Sequence, residues 1–199
     1  MNHRGNLKER LKSLRERQDG PHIEPDMQSG QPFKVIEWFD TIRENPSAGN
    51  IDKAITYYKQ AILDGRYYVV PVGNLQTLVE QLPGLLYFYG SILTDCQQAR
   101  KILEMKTEQL LAEKKRYFMS DPEAVAKFGN LKITEVNAMA AADPEYQDME
   151  MYARRMADAE HKLTILVDSL ENLKYVLHNL VTIRKEGLEE VWVDATKGN

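Results

Sequence analysis

The chain has 199 residues, a formal charge of −4 and 43% hydrophobic residues, which suits one large domain with or without an appendage. A net acidic chain is not coated in nucleic-acid-binding charge, so a basic site would have to be local. No apolar run approaches the length of a membrane span, no apolar core follows the N-terminal cations as in a signal peptide, and the single cysteine, Cys96, cannot form an internal disulfide. A non-membrane, cytoplasmic protein is expected.

The first segment, 1–32, opens with Arg4, Lys8, Arg10, Lys12, Arg15 and Arg17 against Glu9 and Glu16, with Leu7, Leu11 and Leu14 at helical spacing. Three prolines and two glycines follow between Gln18 and Pro32, the composition of a flexible tether. A basic N-terminal arm is expected, with Arg10, Arg15 and Arg17 docking on an acidic partner or nucleic acid. In the next segment, 33–71, Val35, Ile36, Phe39 and Ile42 share one helical side, and Ile51, Ala54, Ile55, Tyr58 and Ile62 repeat the pattern. Two short accessory helices are predicted, punctuated by NPSAGN and DGRYY, with RYYVVPV as an extended connection.

The remaining segment, 72–199, is strongly helical. A long helix is predicted up to about Met119, with a kink or restart at Pro83 and Gly84. Tyr89, Ile92, Cys96, Ala99, Leu103, Lys106 and Leu110 keep an alternating three-four spacing along it, and Cys96 reads as a core residue. SDPEAVAKFGN ends that helix in a turn, and LKITEVNAMAAA makes a brief helix. Asp143 then caps a second long helix, with Pro144 in its first position. Its seam runs through Met149, Tyr152, Met156 and Ala159 into Leu163, Leu166, Leu170, Leu173, Leu177 and Leu180, the pattern of coiled-coil packing and self-association. A tail that folds back through Val191 and Trp192 is expected after Gly187. The predicted fold is all-α: a long antiparallel helical hairpin with short accessory helices and the basic arm.

Catalytic signatures are missing. The four histidines are scattered, no glutamate precedes a histidine by three positions, and no phosphate-binding or nucleophile motif occurs, so neither an enzyme nor a metal or cofactor site is expected. The informative stretch is EKKRYFMSD, where Lys114, Lys115 and Arg116 run into Tyr117 and Phe118. Cations grip a nucleic-acid backbone and rings stack on bases, although the same residues also suit a solvated helix C-terminus. In an antiparallel hairpin Lys127, Lys132, Arg154, Arg155 and Phe128 would converge on this stretch.

From Lys114 onward the order of features resembles the UvsY-type recombination mediators of T-even-like phages. The matching pieces are KKRYF, KITEVNAMAAADPEY from Lys132 to Tyr146, the leucine seam, and IRKEGLEEVWV from Ile183 to Val193. The resemblance implies a homo-oligomeric protein, in the host cytoplasm, that binds single-stranded DNA. Such a protein helps load a RecA-like recombinase onto strands coated by single-strand-binding protein. Carried over to this chain, the DNA contacts are Lys114, Lys115, Arg116, Tyr117 and Phe118, with Lys132, Arg154 and Arg155 nearby. The alternative is a non-enzymatic helical assembly or adaptor subunit, with a seam for oligomerisation and no nucleic-acid role.

Overall fold

A computed structural model describes residues 35–69 and 75–185, all of them helix or short connection. The N-terminal arm with Arg10, Arg15 and Arg17, the connection at 70–74 and the tail from 186 onward lie outside the described residues. The described elements are α1 (Trp38–Glu44), α2 (Ala48–Val69), α3 (Leu75–Ser120), α4 (Pro122–Phe128), α5 (Ile133–Ala141) and α6 (Pro144–Lys185). The fold is all-α.

Two elements set the dimensions. At 46 and 42 residues, α3 and α6 extend about 69 and 63 Å at 1.5 Å per residue. Side-chain pairings along their length fix their relative direction. Lys114 meets Asp143 and Glu145, Arg100 meets Glu160, and Leu82 and Leu86 share a groove with Leu177 and Val181. Residue numbers rise along one helix as they fall along the other, so the pair is antiparallel. The apolar stripe of α3 (Leu82, Leu85, Tyr89, Ile92, Cys96, Ala99, Leu103) alternates steps of three and four and is buried throughout. So is the opposing seam of α6 from Met156 through Leu163, Leu166, Leu170 and Leu173 to Leu177, with Leu180 packed at its edge. Two stripes of this period facing each other bury a continuous apolar core, the main source of stability.

A third helix covers the middle of this pair. α2 runs parallel to α6: its Asp52 meets Tyr152 and Arg155, and its Gly65 lies against Leu166. Ile51, Ala54, Ile55, Tyr58, Ala61 and Ile62 fill the space between the long helices. The two short accessory helices of the sequence reading become one short helix and one of 22 residues, because α2 continues through Asp64, Gly65, Arg66, Tyr67 and Tyr68. The reason is a close approach. A side chain at position 65 would overlap Leu166 Cδ2 and stand 3.0 Å from Tyr89 Cε1, so glycine serves here as a thin spot in a packed helix rather than as a turn. α3 likewise passes through Pro83 without ending.

α1 is tied to the bundle by a carboxylate from another helix. Asp95, buried on α3, accepts hydrogen bonds from the Trp38 and Phe39 backbone N–H groups, both at 2.9 Å, and from the Tyr58 hydroxyl at 2.7 Å. These N–H groups belong to the first turn of α1, whose own N-cap residue, Glu37, supplies no side-chain acceptor. Burial first, and then Asp95, raises the Tyr58 pKa, so the phenol stays protonated and remains a donor. Cys96, the next residue, is fully buried with its Sγ 3.7 Å from Met156 Sδ, and burial pushes its thiol pKa up.

Candidate nucleic-acid interface

The tripeptide Asp-Pro-Glu occurs twice and opens a helix both times. Asp121 Oδ1 accepts the Glu123 N–H at 2.9 Å, and Asp143 Oδ1 accepts the Glu145 N–H at 3.0 Å, each with proline in the first helical position. What reads in the sequence as a turn is therefore α4, a seven-residue helix closed by Gly129 at φ 75°, a left-handed conformation that suits glycine. In α5, Glu135 reaches back to the Lys132 N–H at 2.7 Å. Both short helices pack on the C-terminal half of α3, burying Ala124, Val136 and Ala140. The basic-aromatic stretch is held at this end of the hairpin.

The structure divides the candidate cations into two groups. Lys114 is inward: its ammonium lies 2.8 Å from Glu145 and 3.1 Å from Asp143, joining the end of α3 to the start of α6. The hydrogen bond to Glu145 raises its pKa, burial opposes that shift, and Asp143 adds to the rise. Arg154 is held 2.7 Å from Glu150, and Arg155 is 2.8 Å from Asp52 and over the Tyr152 ring. Arg100 bridges Glu104 and Glu160. Lys115, Arg116, Lys127 and Lys132 have no ion pair among the described residues, and Lys127 lies over the Phe128 ring at 5.1 Å.

The expectation that Arg154 and Arg155 converge with KKRYF is corrected by the helical register. Lys114 stands opposite Asp143, and twelve residues of helix separate Asp143 from Arg155, about 18 Å. Both arginines lie level with the start of α2, where Arg155 pairs with Asp52 of that helix and Arg154 with Glu150 of α6 itself.

The rings are also divided. Phe118 is the half-buried centre of a three-ring cluster, edge-on to Tyr117 at 5.2 Å and to Phe128 at 5.9 Å. Tyr117 and Phe128 flank it, each 38% exposed. Phe118 therefore anchors α4 to α3, and the two outer rings hold the open faces. Between Glu113 and Lys132 the sequence carries five cations against three carboxylates, with Lys114 already committed to Asp143 and Glu145 outside that stretch.

Sequence reasoning missed the carboxylates opposite the basic residues: Asp143 and Glu145 for Lys114, and Asp52 for Arg155. The second Asp-Pro-Glu was the available signal, since it marks the hairpin base where a lysine ending the first long helix must arrive. Asp52 gave no such signal, because its partner is about a hundred positions away on another helix. Among the described residues no group of three or more His, Cys, Asp or Glu side chains is placed to hold a metal ion, and no helix is long and apolar enough to cross a membrane. Searches against protein-family models, curated proteins and solved structures return no match.

Proposed function

We propose that this chain is a non-enzymatic, self-associating mediator that binds single-stranded DNA through the α3–α4 end and helps load a RecA-like recombinase onto strands coated by single-strand-binding protein. The observation that carries the reading is the pairing of cations that lack a carboxylate partner with partly exposed rings. Lys115, Arg116, Lys127 and Lys132 have no carboxylate partner among the described residues, and they share one end of the hairpin with the exposed faces of Tyr117 and Phe128. Cations that bind phosphates release counterions, and rings that stack on bases add sequence-tolerant affinity, the two components a single-strand binder needs. The recombinase and the single-strand-binding protein enter from the resemblance of KKRYF, KITEVNAMAAADPEY and the leucine seam to UvsY-type mediators. Self-association is favoured by the apolar residues on the outer side of α6, where Ile165 and Val176 are exposed.

In this reading Lys114 is a positioning residue that holds the hairpin end closed, and Phe118 fixes α4 beneath the exposed rings. Neither touches the DNA directly. The test is fluorescence anisotropy with a labelled oligothymidine across a salt series. Binding that weakens steeply with salt, and that Tyr117→Ala weakens at unchanged slope, supports the proposal. Absence of binding at low salt by the folded protein would favour the helical adaptor.

A further inference from the structure

The core is unevenly covered. α2 shields the α3–α6 pair from about the level of Tyr152 to that of Leu166, whereas the end formed by the start of α3 and the last turns of α6 carries a groove of about 560 Å³. Val79, Leu82, Pro83 and Leu86 line one side, and Leu177 and Val181 the other. Lys174, Tyr175 and His178 form the rest of the wall, and Val79 and Tyr175 remain 42% and 67% exposed. Pro83 has no N–H to offer the Val79 carbonyl one turn earlier, so the α3 wall also presents a backbone acceptor without its intrahelical donor.

We propose that this groove receives the segment Leu188–Val193 of the same chain. Position and length agree with this assignment. The described part of α6 reaches Lys185, four residues beyond Val181, and the groove extends back only to Lys174, about 16 Å along the axis. The eight residues 186–193 span up to about 28 Å when extended, enough to traverse the groove. Composition agrees as well. Leu188, Val191, Trp192 and Val193 supply apolar surface, Glu189 and Glu190 match Lys174, and the Trp192 indole N–H is a donor of the kind the Val79 carbonyl lacks. A second copy or another protein would have to displace this segment to use the groove.

The test uses the full chain labelled with 5-fluorotryptophan, which gives one fluorine resonance each for Trp38 and Trp192, assigned with Trp192→Phe. The proposal expects a Trp192 line with little solvent isotope shift between H2O and D2O. Val79→Glu and, separately, Lys174→Glu should move that line toward the position of a solvated indole while helix content is unchanged. Both positions are exposed, and the lysine change adds no charge to the apolar floor, so at least one variant retains the fold. A Trp192 line that is solvated in the parent and unmoved by either variant would overturn the proposal. So would a line that becomes solvated on dilution, since the occupant would then belong to a second copy.

Discussion

Two halves of α3 show how one helix can serve two kinds of chemistry. From Leu82 to Leu103 it carries seven buried apolar positions along its stripe and one buried carboxylate, and it is enclosed by α1, α2 and α6. From Lys106 to Ser120 the apolar stripe gives way to cations and rings, and the neighbours are two short helices and the start of α6. In the first half burial supplies the stability, and the buried carboxylate is engaged by two backbone N–H groups and a phenol. In the second, an ion pair, two aspartate caps and a ring cluster hold the elements together while part of the charge is left open to solvent. The first half should therefore be sensitive to reduced volume and missing acceptors, and the second to little besides its engagement of partners.

The largest effect is expected at the centre of the seam. Leu163→Ala removes a fully buried side chain and should cost about 2–5 kcal/mol, read as a fall in the urea midpoint. Asp95→Ala should cost about 2–4 kcal/mol, because it leaves two backbone N–H groups and the Tyr58 hydroxyl without their acceptor. Asp95→Asn keeps one acceptor oxygen and should lose less. If Asp95→Ala melts like the parent, the carboxylate does not hold α1 to the bundle.

Gly65→Ala should give a smaller net loss, about 1 kcal/mol. Overpacking against Leu166 and Tyr89 costs about 1–3 kcal/mol, and the better helix propensity of alanine offsets about 1 kcal/mol of it. This position also shows where sequence reasoning stops. The three-four spacing of α6, the Asp143-Pro144 start and the buried Cys96 are local patterns and could be read directly. Asp64-Gly65 carries the same composition as a turn, and only the approach of Leu166, about a hundred residues later, shows that the glycine is there for closeness. The charges follow the same logic. KKRYF reads as one motif in a linear string, yet its first lysine is structural and the next two cations are unengaged, a distinction made by Asp143 and Glu145 across the hairpin.

The smallest effect on stability is expected at the distal end. Lys114→Ala should cost about 1 kcal/mol or less, the range of partly exposed ion pairs. Because Glu145 raises the Lys114 pKa above its ordinary 10.5, this contribution should be fully present below about pH 10.5 and should vanish as pH rises through the raised value. Melting curves of parent and Lys114→Ala taken from pH 8 upward should keep a constant separation and then converge. Parallel curves throughout would mean that the ammonium is not what stabilises the pair.

The division of the basic stretch is tested most directly by the salt dependence of oligothymidine binding in three proteins: the parent, Lys114→Ala, and the double variant Lys115→Ala with Arg116→Ala. Each single-strand phosphate that a variant no longer neutralises flattens the plot of log K against log salt by about 0.7. The double variant should therefore have a slope shallower by about 1.4 units at unchanged melting temperature, whereas Lys114→Ala should keep the parental slope and melt lower. An equally flattened slope in Lys114→Ala, or a double variant that binds like the parent at every salt concentration, would contradict the account.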